Sequence, residues 1–190
     1  LEIYNATDQN VDLSGYSLSS CSNGCDDVLS WDYPDNVTFE IGTIISSGDV
    51  YVVCHGSADQ LIQAECDQTF TYLSNGDDVF ALTQIGSGMI LDMIGTIGND
   101  PGNGWDVAGV SDATKDHTLV RKAEVTVGNA GYWEYSAGES EDDSEWVVLP
   151  QNDWTYLGSH PHNFDAVVPG CTDMGACNYN PDAMENDGSC

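Results

Sequence analysis

Short apolar runs separated by Gly, Asn, Asp and Ser make up most of this chain, and helical periodicity is almost absent. Alternating or β-branched apolar runs bounded by turn residues are typical of strands. The pattern predicts strands at residues 1–4, 13–18, 37–41, 50–54, 78–83, 89–94, 118–122, 124–127 and 146–149. Residues 58–64, between Cys54 and Cys66, are the one helical candidate and are expected to form a single short turn. Short strands at this spacing indicate an all-β sandwich or barrel.

The composition changes after Phe164, because residues 170–190 are rich in Asn, Asp and Gly and contain few apolar side chains. Such a segment cannot form a core of its own. It must be held by disulfides or a metal ion, or be flexible. We therefore predict a β-sandwich over residues 1–168, followed by a small disulfide-stapled C-terminal segment, residues 169–190, which we call the connector.

Seven cysteines indicate an oxidising, extracellular compartment. The close spacing of Cys21 with Cys25, and of Cys54 with Cys66, is typical of local disulfides. The other three are Cys171, Cys177 and Cys190. Since no Cys-x-x-Cys pair occurs, a zinc site is poorly supported. The odd count leaves one thiol to pair with another chain or with a cysteine outside this sequence.

The charge balance narrows the possible partners. The chain has 32 acidic and 3 basic residues, a net charge of -29. This charge argues strongly against nucleic acids as partners and disfavours anionic membrane surfaces, and no apolar run is long enough for membrane insertion. Divalent cations, cationic surfaces, neutral glycans and proteins are compatible. Adaptation to salty water, where self-repulsion is screened, is an alternative reason for the acidity.

The connector contains a candidate Ca²⁺ site. Closely spaced oxygen ligands suit this ion, and an ion would order a segment that lacks a core. The spacing does not match an EF-hand loop, and the alternative is a set of Asx turns beside Pro181 and Gly188. The candidate ligands are Asp173, Asn178, Asn180, Asp182 and Asp187.

Other motifs give weaker indications. The two Asn-x-Thr sequons, at Asn5 and Asn36, are glycosylation candidates if the source is a eukaryote. Trp105 lies in a long Gly-rich loop and is expected to be the most exposed tryptophan, a candidate for sugar binding, although tryptophan in a sandwich is more often core. His160-Pro161-His162 could ligate a transition metal, but a terminal turn is the preferred interpretation.

A series of motifs, in order, resembles the lamin-tail domain family over about residues 1–160. These are Leu1-Glu2-Ile3-Tyr4-Asn5, Val11 to Leu18, Ile44 to Val53, Asn75 to Leu82, Leu91 to Gly95, Thr118 to Lys122, and Glu145-Trp146. The resemblance implies an immunoglobulin-like β-sandwich without catalytic activity, found in secreted microbial proteins as an accessory or surface module. It also implies that Arg121 is a framework residue.

Residues 170–190 are similar to short Cys-Thr-Asp…Ala-Cys-Asn-Tyr…Asp-Gly-Ser-Cys repeats of large secreted proteins from marine microbes, where they look like spacers or links. Because no nucleophile motif is present and acidic pairs are too abundant to be informative, we expect no enzyme. The expected function is a structural or binding module of a secreted or cell-surface protein. One specific version is an extracellular filament subunit, suggested by a chain that starts within a strand, the odd cysteine and the linker-like C-terminal segment. In such a filament an exposed strand edge can accept a strand from a neighbour. The alternative is a carbohydrate-binding accessory domain of a secreted hydrolase.

Overall fold

The computed structural model describes residues 1–27, 30–161, 169–176, 178–179, 185–186 and 188–190. Within this part the chain forms short strands and two five-residue helices, α1 (Gln60–Ala64) and α2 (Trp133–Ala137). The strands are β1 (Glu2–Tyr4), β2 (Val11–Asp12), β3 (Tyr16–Cys21), β4 (Tyr33–Thr38), β5 (Ile44–Ile45), β6 (Val50–Cys54), β7 (Gln68–Thr69), β8 (Val79–Gln84), β9 (Ile90–Ile94), β10 (Thr118–Arg121), β11 (Trp146–Leu149), β12 (Pro169–Gly170) and β13 (Glu185–Asn186).

The largest sheet is antiparallel and has the strand order β4-β3-β8-β9. Successive side chains of a strand point to opposite faces, and at the middle strands β3 and β8 both faces of this sheet are buried. Leu18 and Phe80 belong to one apolar cluster, whereas Val79 and Ala81 belong to another. The sheet is therefore a central layer with a core on each side.

The first core lies between the central sheet and the N-terminal strands. It combines Leu13, Ile45 and Val53 with Leu18 and Phe80. The strands facing the central sheet belong to the β1-β6-β7 sheet and the β2-β5 pair. The predicted all-β, sandwich-like architecture is confirmed by this arrangement.

The second core is covered mainly by a loop and a helix. Trp105 and Val107 come from the long loop after β9, Trp133 and Ala137 from α2, and Trp146 from β11. The rings of Trp133 and Trp146 lie 6.0 Å apart, centroid to centroid. Strand β11 pairs with β10, so this two-stranded ribbon is tied into the second core.

Most predicted strands are present, with ends shifted by a few residues. The strand predicted at 124–127 is wrong: this segment is a turn followed by irregular backbone, and the amide of Val125 donates to the carbonyl of Lys122 at 3.0 Å. The strand predicted at 13–18 begins only at Tyr16, after a 3-10 turn at Leu13–Gly15. The single predicted helix is confirmed as α1, but α2 was not expected.

Three disulfides are present among the described residues. Cys21–Cys25 and Cys54–Cys66 confirm the two predicted local pairs. In the connector Cys171 is bonded to Cys190, and β12 pairs in parallel with β13. Cys177 lies outside the described residues. In the described part of the chain, no helix is long and apolar enough to cross a bilayer.

Candidate functional site

The described ligands of the candidate Ca²⁺ site make local hydrogen bonds. Asp173 Oδ1 accepts from the amide of Gly175 at 2.8 Å, and Asn178 Nδ2 donates to the carbonyl of Ser189 at 2.7 Å. The first bond is the Asx-turn geometry of the alternative interpretation. Asn180, Asp182 and Asp187 lie outside the described residues. Among those that are described, no group of three or more His, Cys, Asp or Glu side chains could hold a metal ion.

Trp105 is not an exposed sugar platform, which corrects the expectation from sequence. Its side chain is only 7% exposed and belongs to the second core. A Cβ atom added at Gly95 would lie 2.7 Å from the indole ring, so the ring packs directly on this glycine. The Trp105 amide also donates to Thr114 Oγ1 at 2.8 Å. The Gly-rich loop therefore folds back over the sheet and carries Trp105 inward.

The first sequon residue, Asn5, has a buried side chain whose hydrogen-bonding groups are occupied. Asn5 is buried, and its Nδ2 atom, to which a glycan would be attached, donates to the carbonyls of Gln9 at 2.8 Å and of Ile45 and Ser46 at 3.1 Å. Its Oδ1 accepts from the amide of Thr7 at 3.0 Å. Asn5 is thus a structural residue that joins the first turn to β5.

The second sequon residue, Asn36, lies in a surface cleft that the sequence did not reveal. The cleft has a volume of about 200 Å³. Register places Ser20 of β3 opposite both Tyr33 of β4 and Phe80 of β8, so side chains from three strands converge here. We call this the tyrosine cleft; it is lined by Ser20, Cys21, Ser22, Tyr33, Asn36, Tyr72, Asp78 and Phe80.

The tyrosine cleft combines exposed aromatic rings with fixed polar groups. Tyr33 is 51% exposed and Tyr72 is 79% exposed. Asn36 Nδ2 donates to Ser20 Oγ at 2.7 Å, and Asp78 Oδ1 accepts from the amide of Asn23 at 2.9 Å. The sequence shows these residues only as isolated tyrosines, because strand register and the path of the loop before β8 decide that Tyr33 and Tyr72 line the same cleft.

A larger cavity, of about 860 Å³, lies between the sheets. Its lining is mostly apolar and includes core side chains such as Leu18, Val53 and Val120, together with Arg121. Because specific ligand sites need convergent polar groups as well as volume, this cavity by itself defines no ligand.

Arg121 is the centre of a buried ion cluster. Its Nη2 contacts the Asp92 carboxylate, its Nη1 contacts the Glu145 carboxylate, and its guanidinium lies 4.2 Å from the Trp146 ring centroid. Burial raises the pKa of Asp92, while Arg121 and the amide of Asn129 oppose this rise. The cluster joins β9, β10 and the start of β11, which supports the framework role that the resemblance implies for Arg121.

Both edges of the central sheet are protected. At β9, Asn129 Oδ1 accepts from the Met93 amide at 3.0 Å and Asn129 Nδ2 donates to the Met93 carbonyl at 2.7 Å, so one side chain satisfies both backbone groups. At β4, Pro34 lacks an N–H group and Asp35 adopts a positive φ of 51°. Such features hinder the addition of a further strand.

The candidate histidine pair is only partly described. The His160 ring stacks on Tyr4 with centroids 4.0 Å apart and an interplanar angle of 13°. This contact joins the end of the domain to β1, as a terminal turn would. His162 lies outside the described residues.

Comparisons with known proteins found no match: no family model, curated protein or solved structure is similar to this chain. The function is therefore argued from the residues and contacts described above.

Proposed function

We propose that this chain is a non-catalytic structural or binding module of a secreted or cell-surface protein, with residues 169–190 acting as its connector. The observation that carries the proposal is the disulfide between Cys171 and Cys190, which closes the connector into a stapled unit. The other two disulfides fix loops of the sandwich, at Cys21–Cys25 and Cys54–Cys66. Persistent structural disulfides are typical of extracellular proteins.

The more specific proposal is a subunit of an extracellular filament. Strand addition to the central sheet is disfavoured, because Asn129 covers β9 and Pro34 interrupts β4. Three pairs account for six of the seven cysteines, so Cys177 is the candidate for a covalent link to a neighbouring chain. We therefore propose assembly through the connector and not through the central sheet.

Non-reducing electrophoresis of the full chain tests the assembly proposal. We expect disulfide-linked oligomers that disappear on reduction and in the Cys177→Ser variant. A Tyr135→Phe variant, altered at an exposed position of α2, should still form them. Monomers alone, with no assembly in Ca²⁺-containing buffer, would rule out a filament subunit.

We further propose that Ca²⁺ rigidifies the connector, on the basis of its oxygen-rich side chains. Titration calorimetry of the full chain with CaCl₂ should give a heat of binding that is reduced in the Asp182→Asn variant. The matched Asp8→Asn variant, in the sandwich, should bind as the parent does. The proposal fails if there is no heat of binding and EDTA does not change the melting curve.

The alternative function, a carbohydrate-binding accessory domain, was centred on Trp105. Because the Trp105 ring is buried, this residue does not support a carbohydrate-binding function.

A further inference from the structure

We propose that the tyrosine cleft binds an uncharged glycan, holding one pyranose ring between Tyr33 and Tyr72. The proposal does not depend on assembly through the connector, because the cleft is built by β3, β4, β8 and the loop before β8. It also differs from the Trp105 hypothesis in its residues and its location.

The first support is the exposure of two aromatic rings at one cleft. Tyrosine presents an apolar face together with a polar hydroxyl, and such rings are enriched where one side is apolar and the other wet. Tyr72 is held by an edge-on contact with Phe70, with centroids 6.0 Å apart. Its ring is therefore oriented by the fold although most of its surface remains open to solvent.

The second support is the set of polar groups beside these rings. The bond from Asn36 to Ser20 uses one N–H of the amide, so the second N–H and the carbonyl oxygen of Asn36 keep hydrogen-bonding capacity. Asp78 uses Oδ1 for the Asn23 amide, and its second oxygen can accept from a hydroxyl. A donor and an acceptor next to an aromatic face match the alternating hydroxyls and C–H groups of a pyranose.

The size of the cleft sets the class of ligand. Its volume of about 200 Å³ is below the range of roughly 300–1,000 Å³ that is usual for drug-sized ligands. A single sugar ring with its chain extending into solvent fits this shape better than a large cofactor does.

Charge selects among the glycans. The chain carries a net charge of -29, and Asp32 lies beside the cleft, where it accepts from the amides of Ser22 and Asp26. Sulfated and uronic-acid glycans would be repelled by this field. An uncharged glycan meets no such barrier.

The walls of the cleft are set before a ligand arrives. Ser20 and Phe80 lie on neighbouring strands of the central sheet, and the Cys21–Cys25 disulfide fixes the adjoining turn. A preformed site loses less conformational entropy on binding. Asn36 accordingly serves the cleft as a glycan-binding residue, with its Nδ2 directed to Ser20.

A glycan array with uncharged, uronic-acid and sulfated oligosaccharides, probed with the full chain, tests the proposal. We expect binding to uncharged oligosaccharides only. Calorimetry with the strongest of these should show roughly a fivefold or greater loss of affinity for Tyr33→Ala and for Tyr72→Ala, and no detectable binding for the double variant. The matched control is Tyr135→Ala, since that tyrosine is 83% exposed on α2 and lies outside the cleft.

The Tyr72→Phe variant distinguishes loss of the ring contact from misfolding, because it keeps the aromatic ring. Its affinity for the oligosaccharide should lie within about twofold of the parent's. Melting curves should show the alanine variants folded, because both tyrosines are largely exposed. No binding to any uncharged oligosaccharide, a preference for sulfated ones, or unchanged affinity in the double variant would each overturn the proposal.

Discussion

Replacing Arg121 with Met should strongly destabilise the domain. The Arg121 side chain is only 11% exposed, and it contacts Asp92, which is 34% exposed, and Glu145, which is 40% exposed. Removing one partner of a buried ion pair costs about 3–5 kcal/mol, because the remaining charge is left uncompensated. The more exposed pair with Glu145 contributes only about 0–1 kcal/mol. Most of the loss therefore comes from Asp92.

Thermal unfolding measures this effect. For a chain of this size, each kcal/mol shifts the melting temperature by roughly 2–4 °C, so the Arg121→Met variant should melt roughly 6–20 °C below the parent. Lys122→Met is the matched control, since its Nζ donates to the Glu141 carbonyl in an exposed loop at 2.6 Å. A surface change of this kind should alter stability by no more than about 0.5 kcal/mol.

The loss of thermal stability in the Arg121→Met variant should depend on pH. Burial raises the pKa of Asp92 above 3.8 in the folded protein, and Arg121 is the strongest influence opposing that rise. Without Arg121 the pKa rises further, so the folded state binds this proton more tightly than the unfolded state does. The free energy of unfolding then falls as the pH rises from 3.8 through the folded pKa. The melting deficit should be larger at pH 8 than at pH 5. A deficit independent of pH, or a variant as stable as the parent, would refute this reasoning.

Four further changes test other parts of the structure by melting temperature. Trp105→Ala should cost about 3–5 kcal/mol, because it empties a buried site, whereas an exposed platform residue would cost little. Gly95→Ala should destabilise by at least about 1 kcal/mol, since its φ is 89° and a methyl group would collide with the indole ring. Replacing both Cys54 and Cys66 with Ser opens a short loop and should cost about 3 kcal/mol. Asn5→Asp should cost more than about 2 kcal/mol, because a carboxylate would face three backbone carbonyls, and peptide mass analysis should find no glycan at this position.

Local patterns predicted those parts of the fold whose residues decide their own conformation. Strand β6 has the predicted bounds, because Val50–Cys54 is apolar, contains three β-branched valines and follows a turn at Ser47-Gly48-Asp49. The same reasoning failed at 124–127, which has an alternating apolar pattern but forms a turn after Lys122. A strand needs a partner, and pairing is not encoded in the alternation itself.

The candidate site was less predictable because it depends on contacts between distant segments. Helix α2 has only five residues, too few to show a 3.6-residue period. Trp105 lies in a Gly-rich segment typical of solvent-exposed loops, but this loop supplies a layer of the second core. Tyr33 reaches the tyrosine cleft through the register of β4 with β3, whereas Tyr72 comes from the loop before β8, so the two line one cleft although they are distant in sequence.

If the connector joins two units, as we propose, its disulfide limits how far it can separate them. Cys171 and Cys190 are 19 positions apart, yet their Cα atoms lie 4.8 Å from each other. A chain of 19 residues could extend to roughly 63–68 Å if it were open. While the disulfide is intact, a pulling force therefore cannot extend the segment between these two cysteines. Reducing one bond would release about 60 Å of chain, so the redox state of the surroundings would set the extensibility of any array that these modules form.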